Sequence, residues 1–132
     1  MRKYHLSYDI IDTEDTKQYK EDKEYFLYLL YSLGYNSISS YAESTIIVEY
    51  DENKITPIKL FDFLDNNVQN NVRYYISLIS IAQGQSIDSF YNNKYFNFLQ
   101  RERDLKFQEE LQNIDWNSLK KLYNDSIVKY GY

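Results

Sequence analysis

Along residues 3–11 (KYHLSYDII) apolar and polar positions alternate, Tyr4, Leu6, Tyr8 and Ile10 forming one set and His5, Ser7 and Asp9 the other. A period of two, rich in aromatic and β-branched residues, predicts a half-buried strand that gives way to a loop after Asp9. The period then lengthens. Tyr19, Phe26, Leu29, Leu30 and Leu33 recur at helical spacing, with Lys20, Asp22, Lys23 and Glu24 toward water, and predict a helix over 16–33. Asp12 and Thr13 are its N-cap candidates, the acids that follow suit the positive end of a helix dipole, and Gly34 closes it. Two β-prone runs at 35–41 and 44–50 follow, joined by Ala42-Glu43 as a tight hairpin. Thr56-Pro57 reads as an N-cap hydroxyl before proline at the first helical position. That second helix continues through Leu60, Phe61 and Leu64 and dissolves in the asparagine-rich DNNVQNN of 65–71. A last alternating run, 73–82, places Tyr74, Ile76 and Leu78 on one side and Tyr75, Ser77 and Ile79 on the other.

From Ser86 the character changes. Residues 88–113 are charged, aromatic and free of glycine, which predicts one long helix with Tyr95, Phe98, Leu99, Leu105 and Leu111 inward. Arg101-Glu102-Arg103-Asp104 reads as a solvated face in preference to a phosphate grip. Asp115 caps a final helix whose stripe is Trp116, Leu119, Tyr123 and Ile127, ended by Gly131. The order strand, helix, strand, strand, helix, strand within 1–84 predicts an α+β fold. It is the split βαβ arrangement, a ferredoxin-like βαββαβ sandwich with both helices on one face of a four-stranded antiparallel sheet. Residues 85–132 form a helical C-terminal extension. These helices could cover the open sheet face, or dock onto a second subunit or another protein, and the sequence leaves that choice open.

Composition narrows the chemistry. With 132 residues, 43% hydrophobic and 18% aromatic, the chain is long enough and apolar enough for a real core. Tyrosine dominates the aromatics, 16 against 7 Phe and one Trp, and suits half-buried positions and interfaces as well as cores. An AT-rich genome would account equally for the excess of Tyr, Asn and Ile. Absence of cysteine excludes disulfides, thiolate metal sites and cysteine nucleophiles. A membrane-spanning helix needs roughly 20 apolar residues, and no run approaches that. MRKYHL leads directly into the first strand without room for a signal peptide, and the expected location is cytoplasmic. The net charge of −5 opposes non-specific nucleic-acid binding, which scales with neutralised phosphates, but leaves room for a local basic patch or a small metal site.

Asp9 is the leading candidate for chemistry, as a carboxylate at the end of a strand on the polar side of a sheet. Its alternative role is structural, capping the next turn or pairing with a lysine. His5, the single histidine, excludes any two-histidine mechanism and lies about 13 Å from Asp9, at roughly 3.3 Å per residue along a strand. Ser7 could touch substrate, or be small because two sheets pack there. The polar set His5, Ser7, Asp9 and Ser77 argues against an ordinary apolar core on that face and for a hydrated cleft or a polar dimer interface. The acids at 12–15 do not match a calcium loop, and the three scattered glycines build no phosphate cradle. Trp116 and the tyrosines could stack on bases, but without a basic groove beside them they read as core and interface.

The element order, with Tyr8-Asp9-Ile10 ending the first strand in SYDI (7–10), resembles the CRISPR-associated Cas2 family and its relatives. Those relatives include VapD-type ribonucleases and related small bacterial and phage proteins. The similarity covers about residues 3–82 and includes the strand Ser44-Thr45-Ile46-Ile47-Val48-Glu49 and the arrival of a last strand where the family's fourth belongs. It implies a homodimer whose two sheets face one another. Asp9 from each subunit would be the catalytic residue and would hold a divalent metal, magnesium, in a shared cleft, where the ion activates water against a phosphodiester of RNA or DNA. Ser44 matches a family position near the cleft. This chain departs from the family in its helical C-terminus and its acidity, and many relatives serve as structural dimers, so fold transfers better than activity. Two expectations follow. One is a Cas2-like homodimeric module of a defence or mobile-element system that binds a protein partner through its C-terminal helices, or a nucleic acid, without strong catalysis. The other is a metal-dependent endonuclease using paired Asp9.

Overall fold

In a computed structural model the chain is described over residues 1–79 and 94–128, and over 94–98 by its backbone alone. The described residues form an α+β fold with a four-stranded antiparallel sheet and four helices. In chain order these are β1 (Arg2–Ile10), α1 (Thr16–Ser32), β2 (Ser37–Ala42), β3 (Thr45–Tyr50), α2 (Pro57–Asn67), β4 (Val72–Leu78), α3 (Lys94–Asn113) and α4 (Trp116–Tyr123). The sheet order is β2-β3-β1-β4. As the alternation predicts, Tyr4, Leu6, Tyr8 and Ile10 of β1 are buried, opposite Val48, Ile46, Ile76, Tyr74 and Val72 of its two neighbours. Phe26, Leu29 and Leu30 of α1 and Leu60, Phe63 and Leu64 of α2 join them in one core.

Local chemistry explains most boundaries, and corrects several expectations. The cap of α1 is neither Asp12 nor Thr13 but Asp15, whose carboxylate accepts from Gln18 N at 2.8 Å. Ile11 still pairs with Asn71, its N–H donating to the Asn71 carbonyl, and Asp12 turns the chain at φ 56, so the helix starts later. Gly34, at φ +76, follows the helix in the left-handed conformation that glycine adopts without a Cβ clash. The hairpin turn is Glu43-Ser44, one residue later than expected, because Ala42 pairs with Thr45 and Ser44 takes φ 54. Thr56 and Pro57 start α2 as read, the Thr56 hydroxyl accepting from Lys59 N.

Within α1 the expected stripe is too narrow. Residues Phe26, Leu27, Tyr28, Leu29 and Leu30 are all buried, while Tyr19 is largely exposed. The second half of α1 is enclosed because α4 packs on the side turned away from the sheet, Trp116 stacking on Tyr31 with centroids 4.3 Å apart and Tyr123 meeting Tyr25. The Tyr50 hydroxyl donates 2.7 Å to the Leu30 carbonyl, one of the last carbonyls of α1 that lack a helical partner.

The asparagine run is not merely a fading helix. The Asn67 amide donates to the Phe63 and Val128 carbonyls and accepts from Val128 N, tying the chain after α4 to the end of α2. Asn71 donates to the Ile11 carbonyl and to Asp22, and Gln69 to the Asp22 carbonyl. Polar side chains here stitch four separate segments.

The C-terminal helices pack on their own chain. α3 runs beside β2, the edge strand, where Asp104 accepts from Ser40 N at 2.9 Å and Gln108 donates to the Ile38 carbonyl at 2.8 Å. Side chains thus take the place of a fifth strand and cover an edge that would otherwise recruit another chain. The inward residues Phe107 and Leu111 of α3, and Ile114 just after it, share the core. Of the expected residues whose side chains are described, Leu111 is among them, whereas Leu99 is 42% and Leu105 64% exposed. The phase differs because α3 meets a sheet edge and needs one narrow stripe. Arg101, Glu102 and Arg103 are exposed as a solvated face, and Asp104 is the member turned inward. Asp115 caps α4 by accepting from Ser118 N, and its hydrogen bonds with Ser118 hold its carboxyl below the ordinary range. The side chains of Tyr95 and Phe98, helix over 88–93, strand over 80–82 and the role of Gly131 lie outside the described residues. No helix among the described residues is long and apolar enough to cross a membrane.

Asp104→Ala removes the acceptor of a part-buried backbone N–H and should cost about 1–3 kcal/mol in urea unfolding. A change within experimental error would show that α3 does not seal the β2 edge. Burial also raises the Tyr8 and Tyr50 hydroxyls above their ordinary value of 10.0. The folded state therefore holds protons that the unfolded state releases, and stability should be full below pH 10 and fall as pH rises above it. Phenolate absorbance should show these two rings ionising only as the chain unfolds.

Candidate functional site

Residues on alternate pleats of β1 face away from α1 and α2, and they build a polar surface. Register places Lys3 across from Glu49, His5 between Ile47 and Ser77, Ser7 between Thr45 and Tyr75, and Asp9 across from Arg73. The surface is mixed in sign, with Lys3 and Arg73 at opposite ends of β1, each beside an acid. Tyr75 is 71% exposed at its centre.

Asp9 is exposed at the last turn of this surface, and the described residues contribute no hydrogen bond or ion pair to its carboxylate. The cation nearest in register is Arg73, not a lysine. The described residues hold no group of three or more His, Asp and Glu side chains able to grip a metal ion. One chain therefore brings one carboxylate and one guanidinium to this spot. Magnesium keeps most of its ligands as waters and is held by one or two carboxylates, of which one copy brings Asp9 here. Ser7 shares the face, two residues up the strand, half-buried between Thr45 and Tyr75.

Ser44 does not join them. It sits in the β2–β3 turn, its carbonyl accepting from Tyr8 N at 3.0 Å, and so stands level with the buried pleat of β1. There it lines a cavity of about 810 Å³ enclosed by the hairpin, α1 and α3. Tyr8, Tyr19 and Phe107 form its apolar wall. Lys23, Arg103 and Lys106 face Glu43, Glu102 and Glu110, and Lys23 Nζ pairs with Glu110 at 3.0 Å. Burial is the main cause of the raised Tyr8 hydroxyl, reinforced by Tyr19 and Glu110 and opposed by Arg103. This cavity escaped the sequence reading because its residues come from four segments with no shared motif. Its local trace is Tyr8, one of two tyrosines in the buried alternation of β1.

Comparisons with protein-family models, with curated proteins and with solved structures find no match to this chain. Because no described residue bonds to its carboxylate, Asp9→Asn should change unfolding free energy by less than about 0.5 kcal/mol. A larger loss in urea titration would mark Asp9 as a structural residue.

Proposed function

We propose that this chain is a ferredoxin-like, Cas2-like module that pairs with a second copy through its open sheet faces and serves as a binding platform without strong catalysis. The sheet order β2-β3-β1-β4, with α1 and α2 packed on one face, supports the ferredoxin-like assignment. The observation that carries the functional reading is the open face itself, where Asp9 stands across from Arg73 and Lys3 across from Glu49. Such a surface can be self-complementary about a two-fold axis, each acid meeting a base of the other copy. Its serines and half-buried His5 suit a wet interface better than a core.

The acidity of the chain, −5, favours a protein partner over bulk nucleic acid. The C-terminal helices offer the surface, since Leu99, Leu105 and Leu122 point outward while the opposite sides of α3 and α4 hold the fold. A role in a bacterial or phage defence or mobile-element system fits the same resemblance.

One observation favours a second reading, a magnesium-dependent endonuclease: the Asp9 carboxylate is exposed and unclaimed. Two copies would bring two Asp9 carboxylates as metal ligands and two Arg73 guanidinium groups suited to a phosphodiester. The ion would supply an activated water and a polarised phosphoryl oxygen; Ser7 would lie beside the substrate.

Sedimentation at micromolar concentration should show a dimer, which Arg73→Glu converts to monomer by setting two acids against each other. A wild-type monomer would overturn the platform. Incubation of labelled RNA and DNA with magnesium, manganese or chelator should give equal background for wild type and Asp9→Asn. Metal-dependent cleavage lost in the folded mutant would establish the nuclease instead.

A further inference from the structure

The helix layer carries a second cavity, of about 560 Å³, on the opposite side of the molecule from the polar sheet face. Tyr28, Tyr31, Tyr35 and Phe63 line it, from α1, the turn after it, and α2. Its charged lining among the described residues is Lys59 of α2 and Lys120 of α4. In a chain with 20 acidic against 15 basic residues, a cavity with two cations and no carboxylate in its lining departs from the average surface. Trp116 borders the ring cluster, stacked on Tyr31 at an interplanar angle of 4°. Among the described residues Lys59 Nζ reaches only the Lys54 carbonyl, at 3.4 Å, so its ammonium keeps donors to spare. Tyr28 is buried through most of its ring, while its hydroxyl stays accessible. Burial raises the Tyr28 and Tyr35 hydroxyls, which stay protonated and able to donate.

Rings offer flat apolar contact, and ammonium and hydroxyl groups converge as donors without an acceptor of opposite charge. We propose that this cavity binds a small molecule that combines a planar aromatic ring with an anionic group, as nucleoside monophosphates and aromatic carboxylates do. The ring lies against the tyrosines, and the anion takes Lys59 and Lys120. Lys120 lies one turn from Trp116 on α4, but Lys59 reaches the cavity from α2, remote in the chain, so no local basic run announces it.

The test titrates the full chain with adenosine 5′-monophosphate, following calorimetric heat and the fluorescence of Trp116, the single tryptophan. Adenosine, inorganic phosphate and indole-3-acetate are parallel probes. Saturable binding of the monophosphate or the aromatic carboxylate is expected, with adenosine and phosphate each weaker by about tenfold or more, the factor of one lost charged contact. Lys59→Gln with Lys120→Gln should weaken it by about a hundredfold, while Lys17→Gln on an exposed turn leaves it unchanged. Near-ultraviolet circular dichroism checks that the double variant folds. No saturable signal from either anionic probe at millimolar concentration overturns the proposal, as does equal affinity for adenosine or unchanged binding in the folded double variant.

Discussion

The register of β1 is the constraint on which the rest depends. This strand is central, hydrogen-bonded to β3 on one side and β4 on the other, and its two faces have opposite character. A slip of one residue would send Tyr4, Leu6, Tyr8 and Ile10 to water and bring Lys3, His5 and Asp9 against α1 and α2. Burial of the four apolar side chains therefore locks both pairings at once. The same lock decides which residues form the polar face, so the site is a consequence of the core. One cost remains inside it, since the Tyr4 hydroxyl is buried with no hydrogen-bond partner among the described residues.

Around that sheet, polar side chains do work usually given to backbone. Asp104 and Gln108 finish the β2 edge, Tyr50 satisfies a carbonyl at the end of α1, and Asn67, Gln69 and Asn71 join segments from both ends of the chain. Each bond contributes only about 1 kcal/mol, but an unpaired buried partner would cost more, so these contacts act mainly as filters against other packings. They also tie α1, α2, α3 and the segment after α4 together by hydrogen bonds.

The two cavities and the polar face divide the surface by chemistry. Asp9 and Ser7 stand on the open sheet face, Ser44 beside the cavity that Tyr8 lines, and the ring-and-lysine cavity between α1, α2 and α4. The proposed pairing of two copies concerns the first surface alone. The helical extension makes the third, because α4 carries Lys120 and Trp116 to α1. An extension that looks like an appendage in the sequence thus belongs to the core through Phe107, Leu111 and Ile114, and lines the ring-and-lysine cavity through α4.

What the sequence determined by itself was set by short-range physics. Alternation along β1 and β4, the Thr56-Pro57 start of α2, the Asp115 cap of α4 and the exposure of Arg101 to Arg103 all follow from neighbours within a turn or a pleat. Asp9 was legible as a polar strand end, but Arg73 across from it was not, because cross-strand register joins residues far apart in sequence. For the same reason the turn at Ser44, the phase of α3 and the meeting of Lys59, Lys120 and Trp116 were decided only in three dimensions. Helical periodicity names an apolar stripe, but the partner that meets the helix fixes which part of it is buried, and for α3 that partner is the edge of a strand about sixty residues away.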